Sequence, residues 1–127
     1  MKAMRNPSHN IEIGAAGEKI ACDLLRKRGY KIIRKNFRTP FGEIDVIASC
    51  DNILVFVEVK TRISEKYGSP LNAITASKIR TIRKNCEYYL LCNEQDDTDC
   101  RIDVISVIMD GNRRLKLLKH IKNVFCF

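Results

Sequence analysis

The segment Phe41–Arg62 reads FGEIDVIASCDNILVFVEVKTR, and its composition is that of a β-hairpin. Two runs rich in β-branched and apolar residues, Glu43–Ala48 and Ile53–Lys60, flank a polar break at Ser49–Asn52. A break of this length predicts a hairpin of the longer-loop kind. The second run is apolar at nearly every position as far as Val59, which is typical of a strand covered on both faces. We therefore expect the rest of the fold to be organised around this hairpin.

The same hairpin gathers ionisable side chains on one side. Glu58 and Lys60 leave the strand on the same side, because side chains alternate along a strand. A loop at residues 49–52 puts Asp45 opposite Phe56, so that Asp45 becomes a diagonal neighbour of Glu58. It also puts Glu43 opposite Glu58. Any loop with an even number of residues keeps Asp45 on the side of Glu58 and Lys60.

These side chains have the chemistry of a metal site. Carboxylates that converge at the end of a buried strand repel one another, and a bound cation is the usual remedy. Oxygen donors with no nearby histidine or cysteine favour a hard cation, Mg²⁺ or Mn²⁺, over zinc. Asp45 and Glu58 are the predicted ligands, and Lys60 lies beside them. The alternative is a plain buried ion pair between Lys60 and a carboxylate.

The spacing of Asp45 and the motif Glu58-Val59-Lys60 resembles the PD-(D/E)xK nuclease signature, although Ile44 stands where the strict signature has proline. The sequences GEIDVIA and FVEVKTR are more similar still to the bacterial YraN-like family, which resembles archaeal Holliday-junction resolvases. Further matches extend the resemblance over nearly the whole chain: GxxGExxA at residues 14–21, GY at 29–30, NxR at 36–38, Lys78, and RxD at 101–103.

This resemblance implies both a fold and an activity. The fold is an α/β, restriction-endonuclease-like αβββαβ core, with a mixed central sheet flanked by helices. The activity is metal-dependent hydrolysis of phosphodiester bonds, with Asp45, Glu58 and Lys60 as catalytic residues. The resemblance also implies that Glu18 on the first helix and the backbone carbonyl of Val59 join the metal ligands. From its place on a helical wheel alone, at the margin of the apolar stripe, Glu18 is predicted to be solvated.

The remaining patterns predict an α/β domain in the order helix, three strands, helix, two strands. Apolar residues at helical spacing, followed by Gly29, indicate a first helix over residues 11–28. The other predicted elements are a strand at Tyr30–Arg34, a loop at Asn36–Gly42, a helix from residue 69 or 75 to Cys92, and strands at Arg101–Met109 and Leu115–Ile121. The helical crossover between the third and fourth strands favours their parallel pairing. We expect one domain over residues 11–127, after a flexible arm at residues 1–10.

Charge favours a polyanionic partner. The net charge is +8 and the pI is near 9.3, which favours nucleic acid first and an acidic membrane surface second. Seven cations and no acid occur between Arg26 and Arg38, and they lead into the predicted metal hairpin. The predicted nucleic-acid contacts are Lys31, Arg34, Lys35, Arg38, Arg62 and Lys78. The alternative for such a run is a solvated surface with no ligand.

Other features point to the cytoplasm. No apolar run approaches the length of a membrane span, and Met1–Pro7 lacks the hydrophobic segment of a secretory signal. In that compartment the six cysteines are expected to be reduced thiols. None of them forms a CxxC pair, which argues against zinc.

Three classes of function remain open. The first is an endonuclease that acts on DNA more readily than on RNA. It is expected to select branched or processed structures, because no sequence element is available to read bases. The second is a nucleic-acid-binding protein that keeps the nuclease-like fold without turnover. The third is a scaffold protein whose basic surface is incidental. Resolvase-like relatives act as dimers, and the hydrophobic residues Phe125 and Phe127 permit a homodimer here.

Overall fold

The elements of the chain follow the predicted order. The computed structural model describes residues 7–63, 75–95 and 98–125. Within these ranges lie helix α1 (Pro7–Lys27), strands β1 (Lys31–Thr39), β2 (Gly42–Cys50) and β3 (Ile53–Ile63), helix α2 (Ala76–Cys92), and strands β4 (Cys100–Met109) and β5 (Leu115–Phe125). The α/β class and the αβββαβ core are confirmed.

Strand β3 lies in the middle of one five-stranded sheet with the order β1-β2-β3-β4-β5. It pairs in parallel with β4 and antiparallel with β2, so the predicted parallel crossover is confirmed. On one face of the sheet Val55 and Val57 pack in a buried cluster with Leu25 of α1, and on the other Phe56 packs with Tyr89 of α2. The apolar run of β3 is explained by this burial on both faces.

The hairpin between β2 and β3 is tighter than the sequence predicted. Its loop has two residues, Asp51 and Asn52, with φ angles of 51° and 64°. Left-handed conformations at both positions match the twist of antiparallel strands and suit aspartate and asparagine. Ile47 therefore lies opposite Phe56, so the predicted pairing of Asp45 with Phe56 is wrong, and so is that of Glu43 with Glu58. The pairing of the two strands runs from Cys50 and Ile53 to Val46 and Val57.

Strand β1 continues through the region predicted to be a loop. Phe37 pairs with Ile44 and Thr39 pairs with Gly42, so only residues 40 and 41 form the connection. Asn36 has a φ of 53°, and this left-handed residue lies within the strand without ending it. The loop prediction for residues 36–42 is therefore wrong, because pairing with β2 outweighs the local turn signals.

The ends of the other elements differ by a few residues. Helix α1 begins at Pro7, so residues 7–10 of the predicted arm are helical, and residues 1–6 lie outside the described residues. Helix α2 begins after Thr75, whose side chain accepts a hydrogen bond from the Lys78 N–H at 3.1 Å. Of the two predicted starts, residues 69 and 75, this cap agrees with residue 75. Strand β5 runs on to Phe125. Among the described residues no helix has the length and apolar character to cross a bilayer.

A buried polar network joins the end of α1 to β4 and β5. The Asp103 carboxylate is fully buried and accepts hydrogen bonds from Arg101 Nε at 3.0 Å and from the Asn123 N–H at 2.9 Å. It also lies 2.7 Å from His120 Nε2. Arg28 Nη1 lies 3.0 Å from His120 Nδ1. Because arginine can only donate, Nδ1 is the acceptor and Nε2 carries the proton donated to Asp103.

Candidate active site

Three carboxylates meet where α1 passes the start of β2. They belong to Glu18 of α1 and to Glu43 and Asp45 of β2, and one oxygen from each lies within 4.8 Å of the others. We call these residues the acid trio. Three oxygen donors this close together are the donor set that Mg²⁺ and Mn²⁺ prefer, so the residues fit a hard divalent cation.

Two residues bring the acid trio together. Gly17 allows α1 to approach β3 closely, because a Cβ atom at this position would collide with the Thr61 side chain. Asn36 bridges two of the acids: with its amide nitrogen turned toward them, it donates to Glu43 at 2.7 Å and to Glu18 at 3.2 Å. The left-handed backbone of Asn36 thus places an amide donor between carboxylates of two different elements.

Asp45 is the most perturbed member of the trio. Burial and the charges of Glu58, Glu18 and Glu43 raise its pKa from 3.8 to about 7. The Val59 N–H, which donates to Asp45 Oδ2 at 2.8 Å, opposes this shift. A proton or a cation is therefore favoured at this carboxylate near neutral pH.

Glu18 is affected in the same direction. Burial raises its pKa, and the negative charges of Glu43 and Glu58 add to the shift, while Asn36 and Lys35 act against it. Negative neighbours thus raise the pKa of both Glu18 and Asp45, and a positive charge placed among these groups favours the ionised forms of both.

Glu58 holds two lysines beside the trio. Its Oε1 atom lies 3.2 Å from Lys60 Nζ and 3.9 Å from Lys78 Nζ of α2. The Glu58 and Lys60 side chains are only 16% and 19% exposed, so this contact is partly shielded from water. The pKa of Lys78 is lowered by its contact with Lys60 and by burial, against the attraction of Glu58 and Asp45. The site therefore contains adjacent cations as well as adjacent anions.

The predicted site residues are thus found near one another, with one change in their grouping. Glu58 lies close enough to raise the pKa of Asp45, but its carboxylate faces lysines and the acid trio contains Glu43 instead. The Val59 N–H donates a hydrogen bond to Asp45, and the Val59 carbonyl remains a predicted metal ligand. Glu43 was not among the ligands predicted from the sequence. The available signal was the GEID motif, which puts Glu43 two residues before Asp45 on the same strand.

The predicted nucleic-acid contacts divide between two sides of the sheet. Lys35 lies on the α1 side, where its charge lowers the pKa of Glu18, and Arg38 Nε is 3.9 Å from Glu43. Arg34 lies on the α2 side, with its guanidinium 4.8 Å from the Phe37 ring centroid. Lys31 is exposed at the start of β1. The basic run is therefore not one continuous patch.

A cavity of about 330 Å³ opens beside the acid trio, between α1 and the end of β3. Glu18, Lys60 and Arg62 line it, together with Gly14 at its helical wall. A Cβ atom added at Gly14 would have no heavy atom within 4 Å, so the space beside this residue is open. The cavity brings Arg62, a predicted phosphate contact, next to the predicted catalytic lysine.

We expect Asp45→Asn to stabilise the protein in the absence of metal, and most at high pH. In the wild type the folded state holds the Asp45 proton up to about pH 7, whereas the unfolded state releases it near its ordinary pKa of 3.8. Folding therefore loses stability as pH rises between these values, by a few kcal/mol at most. Asparagine removes this loss while its side-chain oxygen still accepts the Val59 N–H.

Urea unfolding in EDTA from pH 5 to pH 8 measures this difference. The free energy of unfolding of the variant should exceed that of the wild type clearly at pH 8 and by much less at pH 5. Asp51→Asn is the matched control, since Asp51 is exposed in the turn of the same hairpin and should give one small shift at every pH. Destabilisation by Asp45→Asn across this range would mean that Asp45 is a structural hydrogen-bond acceptor.

The element order, the parallel pairing of β3 with β4 and the acids on β2 and β3 together define an α/β protein with a restriction-endonuclease-like core. The chain belongs to the family described as Uncharacterised protein family UPF0102, whose model matches residues 17–107. The resemblance to the YraN-like family is thereby confirmed. The matched region includes every member of the acid trio as well as Glu58 and Lys60.

Relatives cover almost the whole chain. A UPF0102 protein of Thermodesulfovibrio yellowstonii is 43% identical over 115 residues, which is 91% of this chain and 96% of that protein. One from Alkaliphilus oremlandii is 43% identical over 118 residues, or 91% and 99% of the two chains. One from Chlorobium chlorochromatii is 40% identical over 126 residues, or 96% and 97%.

Proposed function

We propose that the protein is a metal-dependent endonuclease that hydrolyses phosphodiester bonds in DNA. The observation that carries this proposal is the convergence of three carboxylates within 4.8 Å, beside the Glu58–Lys60 pair. A structural ion pair would need one carboxylate for one cation. This site has three converging acids beside a fourth, Glu58, which contacts two lysines, and such a composition is expected where a cation and a phosphate are bound together.

The acid trio and Glu58 hold the cation in this proposal. Glu18, Glu43 and Asp45 offer oxygen atoms directly, and Glu58 and the carbonyl of Val59 are the further predicted ligands. Mg²⁺ or Mn²⁺ bound there would neutralise charge on the phosphate and make a water molecule more acidic. The raised pKa of Asp45 supports this role, because the site favours added positive charge.

Lys60 has the catalytic role in the proposal. Its ammonium lies 3.2 Å from Glu58, and Lys60 is among the residues that line the cavity beside Arg62. From this position it orients or deprotonates the attacking water and offsets charge that develops on the phosphate. Lys78 shares Glu58 with Lys60 and is the second cation available to a phosphate oxygen.

The surrounding cations bind the DNA backbone in this proposal. Lys35, Arg38 and Arg62 lie on the side of the acid trio, where they contact phosphates next to the scissile one. Lys31 and Arg34 supply further positive charge along β1, with Arg34 on the other side of the sheet. Backbone contacts of this kind carry no base sequence, so selectivity for branched or processed structures is favoured over sequence specificity.

A binding protein without turnover is the second candidate. The contact between Glu58 and Lys60 favours it, because the same geometry also satisfies a partly buried ion pair with no metal present. Both candidates share the basic surface, so turnover alone separates them.

A cleavage assay with labelled duplex, nicked, flapped and four-way-junction DNA, and with RNA of matching sequence, tests the proposal. We expect cleavage with Mg²⁺ or Mn²⁺, none in EDTA, and loss of cleavage in Glu58→Gln. If the wild type binds DNA in a salt-dependent way but cleaves none with either metal, the protein is the second candidate, a binding protein without turnover. Absence of both binding and cleavage would leave a scaffold protein.

A further inference from the structure

Phe41 is an exposed aromatic residue that the fold holds in place. It lies in the turn between β1 and β2, and 50% of its surface is accessible. Its N–H donates to Thr39 Oγ1 at 3.0 Å, and the Thr39 hydroxyl donates in turn to Asn85 Oδ1 of α2. Asn85 is only 3% exposed and packs against Gly42. A buried amide thus fixes the turn that carries an exposed ring, which is typical of a preorganised binding residue.

The ring forms one wall of an open groove whose other walls come from α2. The groove has a volume of about 320 Å³ and is lined by Phe41, Lys84, Glu87, Tyr88 and Leu91. Its surface is mainly aromatic and aliphatic, and Leu91 is 69% exposed. Lys84 Nζ lies 5.7 Å from the Phe41 ring centroid, and Glu87 is paired with Arg83 at 3.0 Å. The groove therefore combines flat apolar surfaces with one available ammonium group.

This groove lies near the candidate active site. Asn85, which holds the Phe41 turn, also lines a small cavity of about 10 Å³ together with Glu43 and Glu58. Phe41 precedes Glu43 by two residues, which corresponds to about 7 Å along an extended strand. The exposed ring is thus within one or two nucleotides of the acid trio.

We propose that the groove binds unpaired nucleotides of the DNA strand that enters the active site. One base stacks on Phe41 and Tyr88, and Lys84 pairs with a neighbouring phosphate. This inference rests on the proposed function, and it names the substrate class: DNA with a single-stranded segment next to the cleaved bond.

Charge favours nucleic acid over a protein segment as the occupant. Helix α2 carries the cations Lys78, Arg80, Arg83 and Lys84 against the single acid Glu87, and the whole chain has a net charge of +8. Arg34 extends the same side of the sheet, since its guanidinium stacks on Phe37 and that ring lies 6.3 Å from Tyr88. Aromatic rings interspersed with cations form the usual surface for single-stranded nucleic acid.

Binding of a fluorescein-labelled 12-nucleotide single strand and of a 12-base-pair duplex, measured by anisotropy in EDTA, tests this inference. We expect Phe41→Ala to weaken single-strand binding by about 5-fold to 100-fold and to change duplex binding less than about 2-fold. Phe41→Trp should restore single-strand binding. Leu115→Ala, which truncates an equally exposed hydrophobic residue on β5, is the matched control and should change neither.

Thermal unfolding of each variant shows that the fold is retained. Equal single-strand affinity of the wild type and Phe41→Ala overturns the inference, and so does a wild type that does not bind the single strand. A dimeric wild type that Phe41→Ala converts to a monomer also overturns it, since a second copy would then occupy the groove. If the wild type cleaves no DNA but Phe41→Ala still weakens single-strand binding, the groove proposal is supported and the nuclease proposal is wrong. If the wild type cleaves DNA but Phe41→Ala does not change single-strand binding, the nuclease proposal is supported and the groove proposal is wrong.

Discussion

Replacing Lys60 with methionine should lower DNA cleavage by roughly 10²-fold or more, the usual scale for one positioned proton-transfer or charge-stabilising group. DNA binding should remain nearly intact, because the other cations proposed to contact the DNA backbone are unchanged. The fold should also tolerate the change, because Glu58 keeps Lys78 Nζ at 3.9 Å and is not left without a cation. Single-turnover cleavage at saturating DNA and Mg²⁺ measures the effect free of binding.

Lys78→Met is the matched control for this prediction. It removes the second cation beside Glu58. Lys78 Nζ lies 3.9 Å from Glu58 where Lys60 Nζ lies 3.2 Å away, and the Lys78 side chain is 38% exposed against 19% for Lys60. We expect a much smaller loss of cleavage in this variant. If Lys60→Met cleaves like the wild type but unfolds far more easily, the Glu58–Lys60 contact is a structural ion pair. Activity that survives both Lys60→Met and Glu58→Gln would remove the nuclease assignment.

Asp103→Asn should lower the free energy of unfolding by about 3–5 kcal/mol, the usual loss when one partner of a buried ion pair is removed. The fully buried carboxylate serves Arg101, His120 and the Asn123 N–H together. An asparagine amide can accept from only part of this set and directs its own N–H groups at donors. Urea unfolding at pH 7 measures the loss, and failure of the variant to fold agrees with it.

The pH dependence gives this prediction its control. Burial acts to raise the pKa of Asp103, but the hydrogen bonds from His120, the Asn123 N–H and Arg101 outweigh burial and lower it. The stabilisation is therefore complete above the unfolded pKa of about 3.9 and is lost only as pH falls through the lower folded value. Asp23→Asn, on an exposed helical face, should cost less than about 1 kcal/mol. Comparable losses for the two variants would contradict a special role for Asp103.

The sequence predicted that Glu58 and Lys60 lie together without predicting the loop of the hairpin. The loop has two residues where four were expected, yet Lys60 Nζ lies 3.2 Å from Glu58, because both residues belong to β3 and side chains two apart on a strand share a side whatever the loop length. Asp51 and Asn52 adopt left-handed backbones without the glycine that usually marks such a turn, so the local signal was weak.

Contacts between distant segments were not predictable from one sequence. The acid trio depends on Asn36, whose amide reaches Glu18 and Glu43 only because β1 continues where Pro40 and Gly42 indicated a loop. The fixed position of Phe41 likewise depends on Asn85, which meets the β1–β2 turn only in the folded protein. Local patterns determine which elements form, and tertiary contacts then determine which side chains meet.

The parallel pairing of β3 with β4 has a consequence for synthesis on the ribosome. Every member of the acid trio, with Glu58 and Lys60, lies in the first half of the chain and can assemble on the β1–β2–β3 meander before α2 exists. Until β4 emerges, however, the apolar strand β3 presents an unpaired edge for several seconds at ~5–20 residues per second. Such an edge is a template for pairing with a neighbouring nascent chain, so the strand at the centre of the finished sheet is its most aggregation-prone segment during translation.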